Sequence, residues 1–477
     1  MTQAGPPPDP AERGLTDAPV DPGEIPENEA AAGGTGGTVV AEMKTKHRIG
    51  PDLTPLRFPA YRRLFFGSAV TVVGSQLTAV AVQQEIFSLT GSSTWVGVAS
   101  LVALVPLIIF GLIGGAVADT YDRRKLAIIT STGIGVTAAG LWLQAHLQLH
   151  SVALIMALLA LQQLFFAVNQ PTRSAIIPRI IPIEYVPSAN TLNFTLFGFG
   201  VLAGPLLAGM LIPLIGLQWL YFFDAVTLLA VLYAVIRLPP IPPLGDRTGR
   251  AKVFDGLAFL RTRPLLLMTF VVDIIAMFFG LPRALFPQMA EETFGGPPGG
   301  GIQLGLLNAG MAIGVVIGGL TGGWIHRVHR QGVAIVIAIL VWGASMTFLG
   351  LSTAIWVAVA MLAVGGWADM VSAAYRSTIL QVEVDDDMRG RMQGVFTVVV
   401  AGGPRLADLA HGLAAGAFGT AAAVTGGGVL VVVLTLVAAR LGPSLWRYDT
   451  RHRVAGRLRE TSSSDPTNRS AQAQSDP

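Results

Sequence analysis

Residues 95–125 read WVGVASLVALVPLIIFGLIGGAVADTYDRRK. From Trp95 to Ala118 no side chain is ionisable, and then Asp119, Asp122, Arg123, Arg124 and Lys125 follow within a few positions. At about 1.5 Å of rise per residue, a helical run of this length crosses a hydrocarbon core of about 30 Å. No water is available there to satisfy backbone N–H and C=O groups, so a helix is the form such a run must take. The basic cluster at its end marks the cytoplasmic side, where Lys and Arg of short loops accumulate.

The same reading extends along the chain. Apolar runs of similar length occur at roughly 64–87, 95–117, 126–147, 152–172, 192–214, 218–237, 265–288, 302–325, 333–351, 354–376, 392–416 and 420–440. They predict an all-α, polytopic membrane protein with twelve transmembrane helices. The 477 residues are 52% hydrophobic and only 13% charged, and the mean hydropathy is +0.59. A soluble chain carries about 25% charged residues, so this one lacks the polar groups to cover a water-facing surface. Composition therefore excludes a soluble enzyme, a nucleic-acid-binding protein and a mostly disordered chain. The absence of cysteine excludes disulfides, thiolate metal sites and a cysteine nucleophile.

Five segments are expected. Residues 1–54 form a disordered cytoplasmic tail, rich in Pro, Gly, Ala, Asp and Glu, which has too few apolar groups to fold. Residues 55–237 form a six-helix half. Residues 238–264 form a cytoplasmic connection that opens with Pro239, Pro240, Pro242 and Pro243. Residues 265–440 form a second six-helix half, and 441–477 a cytoplasmic C-terminal tail. All but two of the 32 Lys and Arg fall in the tails and in alternate loops on one side; Arg283 and Arg405 lie inside spans. Both termini are thus placed in the cytoplasm. The net charge of +3 and the pI of about 9.3 mark that face and carry no sign of nucleic acid.

The two halves resemble each other at an offset near 203. Arg173-Ser174-Ala175-Ile176-Ile177 at the end of span 4 matches Arg376-Ser377-Thr378-Ile379-Leu380 at the end of span 10. Gly114-Gly115 in span 2 matches Gly318-Gly319 in span 8. Duplicated halves are a common plan of secondary transporters, with the substrate site between them near the bilayer midplane.

The stretch Gly115-Ala116-Val117-Ala118-Asp119-Thr120-Tyr121-Asp122-Arg123-Arg124-Lys125 resembles the first signature of the major facilitator superfamily, with Asp122 in place of a glycine and Thr120 in place of an arginine. Span 5 holds Gly200-x-x-x-Gly204-Pro205-x-x-Ala208-Gly209, which is similar to a signature found mostly in exporters that exchange substrate for protons. Leu281-Pro282-Arg283-Ala284-Leu285-Phe286-Pro287 and Arg389-Gly390-Arg391 resemble the branch of enterobactin and drug exporters. The resemblance covers about residues 55–440. It implies the major facilitator fold, transport by alternating access, location in the bacterial inner membrane, a small-molecule substrate, a proton partner, no cofactor and a monomer. The superfamily's arginine signature in span 4 is absent, since Gln162 and Gln163 stand there. The first signature, carried here by Gly115, Asp119, Arg123 and Arg124, would place the Asp119 carboxylate against the positive N-terminus of span 11. That contact would latch the cytoplasmic side shut and favour the outward-facing state by about 1–2 kcal/mol. An ordinary solvated loop charge is the plain alternative.

Ionisable groups inside spans are costly and are functional candidates. Asp273, about 12 Å into span 7, is the first candidate for proton coupling, because opening and closing of a site around a carboxylate changes its proton affinity. Asp408, Arg405 and Asp369 are further candidates, and Arg405 with Asp408 also reads as a structural ion pair. Asp224 and Glu85 read as interfacial. The resemblance makes spans 1, 4, 7 and 10 line the cavity. Gln76, Gln83, Gln162, Phe166, Asn169, Arg283 and Trp367 are then substrate candidates, a set of amides and aromatics suited to an amphipathic molecule. Amides that merely join helices are the alternative.

No phosphate-binding Gly-x-x-x-x-Gly-Lys-Ser/Thr loop occurs, which excludes an ATP-driven pump of that type. The His326-x-x-His329 pair lacks a nearby Glu and does not read as a metal site. The sequence therefore predicts a non-enzymatic, proton-coupled exporter of a hydrophobic or amphipathic drug or siderophore. An importer of a small metabolite and a non-transporting receptor or scaffold are the competing readings. The latch is checked by Asp119→Asn, which is expected to lower transport while membrane expression persists; transport at the wild-type rate by that variant contradicts it.

Overall fold

A computed structural model describes residues 52–242, 253–384 and 386–449. Among the described residues there is no strand, and twelve long helices account for the predicted spans. In the first half these are α1 (Pro59–Thr90), α2 (Ser93–Thr120), α3 (Arg123–His146), α4 (Val152–Ile180), α5 (Val186–Ile215) and α6 (Leu217–Ile236). In the second half they are α7 (Pro264–Gly280), α8 (Ile302–Thr321), α9 (Gln331–Leu351), α10 (Ile355–Glu383), α11 (Asp386–Phe418) and α12 (Thr420–Leu441). A shorter helix, Val253–Thr262, precedes α7.

Local chemistry sets the helix ends. Orphan N–H groups of a first turn need an acceptor. Ser92 accepts from Thr94 N at the start of α2, and Ser151 accepts from Leu154 N at the start of α4. Asp122 accepts from Arg124 N at 2.9 Å and Lys125 N at 3.1 Å. The residue that departs from the superfamily's glycine is thus the N-cap of α3. Gly216 before α6 and Gly419 before α12 share a φ of +84°, a conformation that favours glycine. They lie at the offset of the sequence repeat, so the duplication extends to backbone geometry.

Packing repeats as well. In the first half α1 contacts α5 and α6, α2 contacts α4, and α3 contacts α4 and α6. In the second half α7 contacts α11 and α12, α8 contacts α10, and α9 contacts α10 and α12. The halves meet along two seams, α2 with α11 and α5 with α8, and the repeat exchanges one seam for the other. Small residues let the backbones approach there. A Cβ on Gly97 would stand 2.5 Å from the carbonyl oxygen of Asp408, and a Cβ on Gly209 would stand 2.5 Å from that of Gly301. The span 5 signature acquires a physical meaning. Gly200 and Gly204 receive Val72 and Gln76 of α1, while Gly209 and Pro205 face Gly305 of α8.

Eleven of the described helices are long and apolar enough to cross a membrane. The twelfth, α11, has 33 residues but is interrupted by Arg405, Asp408 and His411. It lies against α2, α7 and α12, so its polar groups face protein. Outside the bundle, Phe194, Leu320, Phe418 and Leu441 stay exposed, as lipid-facing side chains do. Several expectations lie outside the described residues: most of the 1–54 and 441–477 tails, Pro243, and the surroundings of Gly115, Asp119 and Arg389-Gly390-Arg391.

The seam is testable. Gly305→Leu would force a side chain against the backbone of Pro205 and Leu206, an overpacking cost of about 1–3 kcal/mol. It is expected to lower the melting temperature of the detergent-solubilised protein by several degrees. Gly198→Leu, on the open side of α5 with nothing within 4 Å, serves as the control and is expected to change it little.

Candidate functional site

At the centre of the α2–α11 seam lies Asp408, 6% exposed. Ser100 of α2 donates its hydroxyl to one carboxylate oxygen at 2.7 Å, and the Ala284 N–H donates to the other at 3.1 Å. Ala284 belongs to the 3-10 turn Arg283–Leu285. That turn exists because Pro282 cannot continue α7 and leaves backbone N–H groups without helical acceptors. One carboxylate thus joins three elements: α11, α2 of the other half, and the connection from α7 to α8. Arg283 is exposed and acts electrostatically on both Asp408 and Asp369. Arg405 donates to Gln163 of α4 at 2.8 Å. The expected Arg405–Asp408 ion pair is therefore replaced by two separate bonds across the seam, each to the opposite half. His411, three residues on from Asp408, has its Nδ1 at 3.0 Å from the Ala407 carbonyl oxygen and is a satisfied core residue.

Asp273 has a different setting from the solitary carboxylate the sequence suggests. It is 2% exposed and forms an ion pair with Arg376 of α10, which also reaches Asp369 at 3.5 Å. Arg376 reads in the sequence as a charge of a cytoplasmic loop. The structure corrects this, because α10 continues to Glu383 and carries Arg376 into the bundle at 8% exposure. The same correction applies to its repeat partner Arg173, which lies on α4 and bonds Ser68 of α1. The Arg-Ser repeat was the visible signal; only packing gives each arginine its partner.

The remaining candidates separate. Asp224 and Glu85, read as interfacial, are both buried in protein. Asp224 is 1% exposed and accepts from Thr78 at 2.8 Å. Glu85 is 8% exposed and accepts from Tyr221 and Gln144. Asn169 donates to Thr130 and Ser131 of α3, so it joins α3 to α4 and does not face a cavity. Gln76 packs on Gly204, and Trp367 packs against Gly318 and Trp324. Gln83 and Gln162 are half-buried and Phe166 is exposed. Gln163, named in the sequence only as a departure from the arginine signature, turns out to face Arg405.

The connection between α7 and α8 closes one end of the bundle. Glu291 accepts from Gln84 of α1 at 2.6 Å and from Gly299 N at 2.9 Å. Ser93 of α2 donates to Gln288 at 2.8 Å, and Thr94 donates to the Gly412 carbonyl at 2.8 Å. The bonds between the halves described above lie at the middle of the bundle or toward the end away from the start of α1 and the end of α12. Arg405 and Asp408 mark the depth of the seam, and the bonds of Glu291, Gln288 and Thr94 join the halves at the end away from the chain termini.

The chain matches the transmembrane secretion effector family over residues 51–453. It is 28% identical over 391 residues to the enterobactin exporter EntS of Salmonella typhi, covering 80% of this chain and 92% of that protein. The enterobactin exporter EntS of Escherichia coli O1:K1 / APEC is also 28% identical, over 396 residues and with the same coverage. Among solved structures, the nucleoside transporter NupG matches with a TM-score of 0.65 at 14% identity, over 82% of this chain and 100% of that one. A bacterial homolog of the human lysosomal transporter Spinster, solved inward-facing and unoccupied, matches with a TM-score of 0.62 at 16% identity, over 83% and 97%. These two likenesses concern the fold.

The Asp273–Arg376 pair carries its own check. Removing one partner of a buried pair leaves an uncompensated charge, at a cost of about 3–5 kcal/mol. Arg376→Leu and Asp273→Leu are each expected to lower the melting temperature markedly, and the double variant to recover much of the loss. A double variant as unstable as the sum of the singles contradicts the pairing.

Proposed function

We infer, because the chain belongs to the transmembrane secretion effector family of the major facilitator superfamily, that it exports an amphipathic small molecule in exchange for protons. It is a multi-pass secondary transporter and not an enzyme. The relatives are exporters of enterobactin by name, so a siderophore-like molecule is the first substrate class to examine, ahead of drugs. The Lys and Arg distribution supports a cytoplasmic position for both termini. The protein works as a monomer, since each half supplies one side of both seams.

The observation that carries the coupling step is the environment of Asp408. Its ionised carboxylate accepts from Ser100 of one half and from Ala284 N of the other, and so holds the outer seam shut while the substrate path faces the cytoplasm. An empty transporter is locked in this state, which prevents a futile cycle. Substrate reaching Arg283 and Arg405 competes for the charges around Asp408 and releases the seam. Once the seam has opened outward, Asp408 meets outside water and takes up a proton there. A neutral carboxyl is cheaper to return to the dry seam than a carboxylate, so the proton accompanies the return step and leaves on the cytoplasmic side. Asp369 and the Asp273–Arg376 pair lie between Asp408 and the cytoplasmic ends of α7 and α10, and they give the departing proton a set of carboxylates to follow. Gln162 and Phe166 on α4 supply amide and aromatic contacts for the substrate.

Uptake into inside-out vesicles with an acid interior tests this reading, over a panel of dyes, antibiotics and catecholate siderophores. Accumulation is expected to follow the pH gradient and to vanish when the gradient is collapsed. Asp408→Asn is expected to bind substrate but lose gradient-driven accumulation at least tenfold, with partial rescue by Asp408→Glu. Uptake indifferent to the gradient refutes proton coupling, and ATP-dependent uptake that survives its collapse refutes secondary transport.

A further inference from the structure

A second cluster of buried polar groups lies inside the first half, away from both seams. Its centre is Glu85 of α1. Tyr221 of α6 donates to one carboxylate oxygen at 2.6 Å, and Gln144 of α3 donates to the other at 2.8 Å. A carboxylate offers about four lone-pair sites, so two donors leave acceptor capacity over. Gln144 is itself 2% exposed, and its Oε1 is buried with no hydrogen-bond partner. Within the described residues no Lys, Arg or His stands at ion-pair distance from Glu85. His150, on the wall of an adjoining pocket, acts on Glu85 electrostatically without pairing with it in contact; a buried carboxylate with no contact ion pair beside an unsatisfied acceptor is a costly arrangement, of the kind that a bound donor relieves.

The space for such a donor is present. A pocket of about 260 Å³ opens beside Glu85 at the end of the bundle away from the termini. Glu85 lies on one wall, Leu89, Ala145 and Leu217 give apolar surface, and His150 and Gln218 give polar surface. The α3–α4 turn that shapes this mouth is held in an unusual form. Gln148 and His150 adopt φ values of +51° and +47°, a left-handed conformation uncommon for residues other than glycine. The volume lies just below the about 300–1,000 Å³ of sites for drug-sized ligands. All of these residues belong to α1, α3, α6 and the turns beside them, so the pocket can stay open whichever way the seams are closed.

We propose that this pocket is a binding site for a small organic monocation, a primary ammonium on a short apolar body. The ammonium donates to the Glu85 carboxylate, which Tyr221 and Gln144 hold from behind, and the body lies against Leu89, Ala145 and Leu217. A metal ion is not the ligand this set suits, because among the described residues no group of three His, Asp or Glu converges anywhere. The site is separate from the Asp408 seam and does not depend on the substrate or the direction of transport.

Calorimetric titration of benzylammonium into the full-length protein in detergent tests the proposal, with benzyl alcohol as the neutral isostere that reports partition into micelles. Saturable binding of one equivalent is expected for the ammonium and none for the alcohol. Glu85→Gln is expected to weaken the ammonium at least tenfold. Ala145→Phe fills the pocket and leaves the carboxylate in place; it is expected to abolish binding, and it decides the matter if Glu85→Gln fails to fold. The proposal is overturned if ammonium and alcohol titrate alike, if the wild-type protein binds neither, or if Ala145→Phe binds as the wild type does.

Discussion

A charge in this bundle has no water to turn to, so it must find its partner in protein. That constraint organises the interior. Asp273 is held by Arg376, Asp224 by Thr78, Glu85 by Tyr221 and Gln144, and Asp408 by Ser100 and a free backbone N–H. Each arrangement joins two or three helices, so burial of one side chain becomes positioning of several elements. Where the joined helices lie in one half, the effect is rigidity. Where they lie in different halves, as at Asp408, the same physics joins the halves, and this is the contact that the proposed transport cycle breaks.

The seams show why such a contact can be broken at modest cost. Glycine pairs bring α2 to α11 and α5 to α8 without interlocking large side chains. Apolar helix surface gains little from association in lipid, because lipid is as apolar as the partner. A seam of small residues is held by close contact and by a few polar bonds, and those few bonds then decide its state. Pro282 is part of this economy. By ending α7 it leaves Ala284 N to be satisfied elsewhere, and Asp408 satisfies it. A backbone defect thereby becomes the point at which the two halves and the α7–α8 connection meet.

The duplication is legible at three levels. It appears as the Arg-Ser pairs at 173 and 376, as the shared backbone form of Gly216 and Gly419, and as matching principal helix contacts in the two halves. It does not extend to the polar interior. Arg173 meets a serine in the first half, while Arg376 meets two aspartates in the second. The same framework thus carries a neutral contact on one side and a charged network on the other.

Sequence alone determined the number and place of the helices, their internal repeat and the superfamily. Hydropathy, loop charge and short glycine motifs are local properties, and the bilayer translates each directly into structure. Which charges meet was decided only by tertiary structure. Nothing in the spacing of Asp273, Asp408, Glu85 and Asn169 distinguishes a paired carboxylate, a latch between halves, the wall of a side pocket and a helix-joining amide. Those roles depend on which helix stands opposite, and the residues that complete them (Arg376, Ser100, Tyr221 and Thr130) come from other spans. The physical reason is the one that organises the interior: in a dry bundle a polar group is defined by its partner, and partners are chosen by packing.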